Sequence, residues 1–499
     1  MYSGAAGVMA KMQTVLEKNI YLMDARAETF VPTDRDNDMI ALGNYEDNLT
    51  GNTYADPAEY YDVIIACNDY LQKLHTYKEN HEEGMDMANY EGLVGNTVRI
   101  KAWTYFMMAK IYGEVVWFDD TMQELEDYSR YPHYDLEQTV DACLKLLEEG
   151  FDGVAASKTM DWESYLATTD DDIASATYRW WNYMVPEYFV LRAELYLWKN
   201  DYQQTADILL AALNENFLRV QTATDDNPAP TLLYTINASY HNQSYRLWSA
   251  TPYYNGAITA MTYNAQKNQV NKLSENFRSA ALLLPTDAAI ERWEDPAFSC
   301  VKTDGTADKR FGTWWEQDSY KKWRLRKYRS SDYSIYTYRS MELYLMLCEA
   351  MNHLGRYEEV DALMNRGVYY YAQDKPDVYA DNFEGFGKYW VQGAYPCQGM
   401  TSVSDRADRT MKVPDTEENI RYNDIEILKE WILEYPGEGK SLPAMIRIAR
   451  RYNDNSIIAD FVCSKYAPED AAMAAHVRSK LESGDYFVHW DLDSTSSKH

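Results

Sequence analysis

With 499 residues, 46% of them hydrophobic and 25% charged, the chain has material for two or three domains, or for one large helical body with inserted loops. Its 78 acidic against 48 basic residues leave a net charge of −30, which repels phosphate polymers and argues against a nucleic-acid role. No apolar run approaches the roughly 18 residues that a membrane span needs.

The opening segment, MYSGAAGVMAKMQTVLEKN, lacks the charged-then-apolar order of a signal peptide and carries helical periodicity from about residue 3 to 20. Helices are predicted next over 57–77, opened by Asp56-Pro57, over 91–112, closed by Gly113, and over 135–149, closed by Gly150. Another spans 186–214, with Pro186 at its start and a polar break at Lys199-Asn200-Asp201. Between them lie polar insertions at 24–56, 114–134, 151–185 and 219–265, too long for ordinary connectors and of the size that carries function.

Helices at 269–282 and 285–294 are predicted to give way to an irregular, aromatic-rich segment, FGTWWEQDSYKKWRLRKYRSSDYSIYTY. Tyr338 to Val368 then reads as a helix, a Gly355-Arg356 turn and a second helix. It has a twin in VLRAELYLWKNDYQQTADILLAALN, where Glu194 precedes Tyr202 by eight positions, as Glu349 precedes Tyr357. Such paired hairpins are tetratricopeptide-like, a unit that holds partners and does no chemistry. Within the second hairpin Tyr344, Glu349 and Tyr357 are expected to pack and close it. A large loop at 369–423 and helical regions at 424–452 and 468–483 complete the chain, and no Ser/Gly linker cuts it.

Signals for chemistry are sparse. The six cysteines, Cys67, Cys143, Cys300, Cys348, Cys397 and Cys463, form no C-x-x-C pair and mark neither a zinc site nor a dense disulfide framework. His75, His81 and Glu82 lack the i, i+4 spacing of two ligands on one helix face. Pro436-Gly437-Glu438-Gly439-Lys440-Ser441 ends like a phosphate-binding loop, but Glu434 stands where its first Gly belongs, so a turn is expected. Asp34, Asp36 and Asp38 alternate as in a calcium loop, yet Met39 replaces the turn Gly and Tyr45 the bidentate Glu. There is no G-x-S-x-G or H-E-x-x-H motif. No catalytic residue, metal ligand or cofactor is assigned.

What remains is aromatic. Tyrosine outnumbers Phe and Trp, 44 against 13 and 14, which suggests many rings with one wet edge. Tyr253, Tyr254, Tyr263, Trp314, Trp315, Tyr320 and Trp323 fall in non-helical segments beside Asn255, Asn264 and Arg324. Rings of this kind stack on sugar faces while amides and guanidinium take the hydroxyls, although loop aromatics more often pin a loop to the body.

Five motifs in order resemble the SusD/RagB family of Bacteroidetes surface lipoproteins. They are YYDVIIACNDYL at 60–71, VRIKAWTYFMMAKIYGEVVWFDD at 98–120 and LLLPTDAAIERWEDPAFS at 282–299 with Asp308 and Arg310. RKYRSSDYSIYTYRSMELYLMLCEAMNHLGRYEEVDALMNRGV follows at 326–368, with its Lys-Tyr pair and Arg-x-x-Glu helix, then ILKEWILEYPGEGKSLPAMIRIARRYND at 427–454. The resemblance departs at Trp117, near the family's Pro, at Lys440, where Arg is usual, and at Ala444-Met445, which replace Asp-Leu.

The resemblance implies an all-α fold of tetratricopeptide-like hairpins with large irregular ligand-binding loops. It implies a single domain over 1–499, with an N-terminal helical part at 1–265 and a C-terminal SusD/RagB-type part at 266–499. It further implies a non-catalytic protein on the outer face of the outer membrane, held by an N-terminal lipid anchor absent from this chain. Such a protein binds oligosaccharides and delivers them to a SusC-like TonB-dependent transporter, or in the RagB branch delivers peptides. From loop position and adjacent polar groups, the expected ligand contacts are Arg35, Asn44, Tyr45, Tyr253, Tyr254, Asn255, Tyr263, Trp314 and Trp315. An all-α glycoside hydrolase and a general tetratricopeptide scaffold are the alternatives from other classes.

Overall fold

The computed structural model describes residues 1–81, 86–121, 130–166, 179–214, 257–263, 269–300, 308–328, 334–391 and 409–490. Helices dominate them. The first half contributes α1 (Tyr2–Asp24), α2 (Asn37–Gly43), α3 (Ala58–Asn80), α4 (Met87–Tyr112), α5 (Leu136–Glu149), α6 (Tyr188–Trp198) and α7 (Tyr202–Asn214). The second half adds α8 (Ser340–His353), α9 (Tyr357–Met364), α10 (Glu417–Glu434), α11 (Ser441–Tyr452), α12 (Ser456–Cys463) and α13 (Ala471–Glu482). Among the described residues no helix is long and apolar enough to cross a membrane.

Local chemistry sets the ends. Asp135 caps α5 in a full capping box with Gln138, and Asp86, Glu187 and Thr416 accept the third backbone N–H of α4, α6 and α10. Gly113 ends α4 in the left-handed conformation, φ 79°, with the Phe487 ring so close that a Cβ there would sit 2.5 Å from it. Two predicted helices are not continuous. The 269–282 segment contains only a π-helical turn at Glu275–Ser279, and 285–294 splits into short turns at Asp287–Ile290 and Glu291–Trp293. The apolar residues there face the core from irregular backbone, so periodicity alone overstated the helix.

Neighbours in sequence are neighbours in space. α1 lies on α3 and α4, and packing then runs α4–α5–α6–α7–α8–α10–α11–α12–α13, with α11 returning to α1. Every residue of α4 from Gly92 to Ile111 is buried, which makes it the central rod of the first half. The core cluster runs from Ala5 to Val488 and draws on both halves. Strands are short and pair as antiparallel two-stranded ribbons: β1 (Phe30–Pro32) with β5 (Leu283–Pro285), β2 (Glu114–Val116) with β3 (His133–Asp135), β4 (Ala257–Met261) with β8 (Ile335–Arg339), and β6 (Trp315–Gln317) with β7 (Trp323–Leu325).

The twin hairpins use their equivalent glutamates alike. Glu194 receives Lys110 of α4 at 2.6 Å and the Tyr338 hydroxyl at 2.8 Å, while Glu349 receives Arg447 of α11 at 2.9 and 2.7 Å. Tyr344 is buried against Trp390, and Tyr357 is half-buried where α9 begins.

A larger set of charges runs along α10. Glu426, Glu430, Glu434 and Glu438 recur every four residues, so they line one helix face and continue into the turn beyond it. All four are buried, and cations answer them in series: Arg409 bridges Glu426 and Glu430, and Arg310 bridges Glu430 (3.1 Å) and Glu434 (3.2 Å). Arg339 bridges Glu434 (2.5 Å) and Glu438 (2.9 Å), and Lys327 adds a 2.5 Å contact to Glu438. Asp308 orients Arg310 from behind at 2.8 Å. Removing one partner of such a set strands a buried charge, at a cost of about 3–5 kcal/mol. The ladder therefore ties segments at 308–310, 327, 339 and 409 to one helix.

Candidate functional site

Among the described residues of the aromatic-rich segment, the β6–β7 ribbon carries the most exposed aromatic surface. Register pairs Trp315 with Leu325, Glu316 with Arg324 and Gln317 with Trp323. Alternation places the Trp315–Leu325 pair in the core, where Trp315 meets Phe30 and Trp293 at ring distances of 6.0 and 5.2 Å. Toward the turn the same face opens: Trp323 is half-buried edge-to-face on Phe311 at 5.2 Å, Gln317 is exposed, and Tyr320 at the tip is 83% exposed.

The other face of the ribbon is charged. Glu316 pairs with Arg278 and lies 3.7 Å from Arg326, and Arg324 pairs with Asp318 at 2.7 Å. Backbone N–H groups of Lys322 and Tyr320, with Arg324 nearby, hold the Asp318 carboxyl below its ordinary value. Arg278 also donates to the Leu325 carbonyl at 2.6 Å, which links the ribbon to the 278–283 segment. There Thr33 donates to the carbonyls of Leu282 and Ala281, both at 2.9 Å, and the exposed Arg35 reaches the carbonyl of Ala280. The open face thus carries two outward rings and an amide, while the opposite face of the same ribbon carries carboxylate and guanidinium groups. That chemistry suits a neutral polyhydroxylated ligand, with rings for its apolar faces and polar groups for its hydroxyls.

The expected contacts divide. Arg35 is exposed and donates to the carbonyl of Ala280. Asn44 is half-buried at the C-terminus of α2. Tyr45, at φ 58°, is buried under Arg26, whose carbonyl accepts its hydroxyl at 2.6 Å. Tyr263 is buried and donates to the carbonyl of Gln13 at 2.8 Å. Trp314 is fully buried with the Lys327 ammonium 4.4 Å from its ring centre, and Trp315 is 2% exposed. The expectation is corrected for these four rings: they pin segments to the core and leave no open face for a ligand. Tyr253, Tyr254 and Asn255 lie outside the described residues. The rings that do face outward, Tyr320 and Trp323, were in the aromatic cluster of the sequence, and alternation from Trp315 along β6, with its register to β7, is the signal that separates them.

The motifs set aside as chemistry have internal partners. Asp24 accepts the N–H groups of Gly437 and Gly439 at 2.8 and 2.6 Å, so the turn that resembles a phosphate loop cradles a carboxylate of the protein itself. Burial pushes the Asp24 carboxyl up to about 8, against those N–H donors. Lys440 donates to Glu342 at 2.9 Å and Ser441 to Glu28 at 2.8 Å. Asp36 caps α2 through Met39 N–H, and Asp38 accepts both the N–H and the hydroxyl of Thr53. His75 sits between Glu79 and Asp152, and the exposed His81 stacks on Tyr77 at 4.1 Å. Asp47, Asp485 and His489 converge, but Lys480 already pairs with both carboxylates there.

No protein-family model and no curated protein matches this sequence. Solved structures do match. A SusD superfamily protein from Bacteroides vulgatus ATCC 8482 aligns over 99% of this chain and 96% of its own, with a TM-score of 0.64 at 11% identity. The chain has the SusD-like fold. A SusD homolog from Bacteroides thetaiotaomicron VPI-5482 agrees over 97% and 93% of the two chains, TM-score 0.60 at 13% identity. A laminarin binding SusD-like protein does so over 96% and 97%, TM-score 0.56 at 14% identity. Of the residues in the motifs that carried the sequence resemblance, Asp308, Arg310, Lys327, Arg339, Glu430, Glu434 and Glu438 belong to the buried charge ladder.

Proposed function

We propose that this protein binds glycans without catalysis and, as one unit over its whole length, passes oligosaccharides to a SusC-like TonB-dependent transporter at the outer face of an outer membrane. The observation that carries the reading is the SusD-like fold over essentially the full chain, shared with structures described as laminarin binding and as a SusD-like carbohydrate binding protein. The outward rings Tyr320 and Trp323, with Gln317 on their face of the ribbon, supply matching chemistry. A lid protein that hands its ligand on has no need of tight binding, so modest affinity is expected.

Calorimetric titration with laminarin, starch-type and host glycan oligosaccharides tests this. Heat with one glycan class, reduced in Trp323→Ala and Tyr320→Ala, supports the reading. Silence across glycans with heat on adding oligopeptides replaces it with RagB-like peptide import, and release of reducing sugars on incubation replaces it with hydrolysis. Co-purification with a SusC-like transporter expressed beside it tests the delivery step.

A further inference from the structure

Between the first turns of α5, the α6–α7 turn and the end of α11 lies a cleft of about 270 Å³, set apart from the β6–β7 surface. In a chain of net charge −30, four cations line it: Lys199, Arg447, Arg450 and Arg451. They fall into two classes. Arg447 and Arg451 have side chains only 5% exposed and are fixed by Glu349, with Asp424 at 2.7 Å and Asn200 at 3.1 Å also holding Arg451. Arg447 uses Nε and Nη2 on Glu349, which leaves Nη1 outside that pair.

Arg450 and Lys199 are different. Their partners are Glu137 at 3.0 Å and Asp141, carboxylates 80% and 61% exposed at the mouth of the cleft. Exposed pairs of that kind are weak, so an incoming anion can release either carboxylate to water at little cost. Arg450 Nη1 has a 3.5 Å contact with the Tyr486 hydroxyl, and a lysine ammonium carries three donors. Trp198 adds an aromatic wall, with the Arg447 guanidinium 5.8 Å from its ring centre.

We propose that this cleft binds a small oxyanion, a carboxylate or phosphate group on a compact polar ligand. Arg450 and Lys199 are its mobile arms, Arg447 and Arg451 its fixed wall, and Glu137 and Asp141 internal competitors for the same cations. The proposal is independent of the glycan reading, whose rings lie on β6–β7.

The test is calorimetry at low ionic strength, where surface charge is least screened, with inorganic phosphate and D-glucuronate, and with glucose as the uncharged control. Saturable binding of either anion but not of glucose is expected, at least about tenfold weaker in Lys199→Gln/Arg450→Gln, as for the loss of one charged hydrogen bond. Binding of phosphate alone assigns a free-phosphate ligand, and binding of glucuronate assigns a sugar acid. Glu137→Gln/Asp141→Asn should bind more tightly than the wild type, a gain that damage to the fold would not produce. No saturable binding in either the wild type or the Glu137→Gln/Asp141→Asn variant overturns the proposal, as does equal binding by Lys199→Gln/Arg450→Gln.

Discussion

Replacing Arg339 by Met removes the cation that spans the last rungs of the α10 ladder. Its guanidinium donates to Glu434 at 2.5 Å, to both oxygens of Glu438 at 2.9 Å and to the Glu434 carbonyl at 3.1 Å. After the change Glu434 keeps Arg310 and Glu438 keeps Lys327, and the buried set loses one of the positive charges that offset its carboxylates. The expected loss is about 3–5 kcal/mol at neutral pH. The pH dependence gives the sharper test. Burial works to raise the Glu438 carboxyl, and Arg339 followed by Lys327 overcomes it, leaving it below the ordinary 4.5. In the wild type that depressed value contributes stability present above about 4.5 and lost as pH falls through the folded value. Without Arg339 burial dominates, the folded state takes up a proton at higher pH than the unfolded one, and the variant loses less on acidification. Urea unfolding followed by circular dichroism from pH 4 to 8 should therefore show a gap between wild type and Arg339→Met that is widest near neutrality and narrows toward pH 4. A gap under about 1 kcal/mol at pH 7.5, or one that widens on acidification, refutes the reasoning.

Trp315→Ala should cost about 3–5 kcal/mol by emptying a core site, whereas Trp323→Ala and Tyr320→Ala should leave the melting temperature nearly unchanged and weaken glycan binding by about 0.5–1.5 kcal/mol each. Gly113→Ala combines a left-handed φ with collision against Phe487, and a loss of about 1–3 kcal/mol in the same urea assay is expected. Burial lowers the Lys465 ammonium to about 7, from an ordinary 10.5. The unfolded state then binds more protons between those values, so this residue makes stability rise with pH from about 7 to 10.5. Melting curves of Lys465→Met across that range should show a smaller rise than the wild type, since Lys327, lowered by burial to about 8, contributes a rise of its own, and an identical rise in both proteins would count against it.

Periodicity and capping residues determine the helices legible in the sequence, because a helix end answers to groups within four residues of it. Asp135 with Gln138 and Gly113 after Tyr112 are of this local kind. The four-residue repeat of Glu426, Glu430, Glu434 and Glu438 also stands in the sequence, but its partners Arg409, Arg310, Arg339 and Lys327 come from four other segments, and only folding brings them to one face. Burial was likewise decided by tertiary structure. Trp315 and Trp323 are the same residue type in the same aromatic segment, and the register of β6 on β7 sends one into the core against Phe30 and Trp293 and leaves the other at the open end beside Tyr320. A ring's composition is read from the chain, but whether it faces core or ligand depends on what packs across from it.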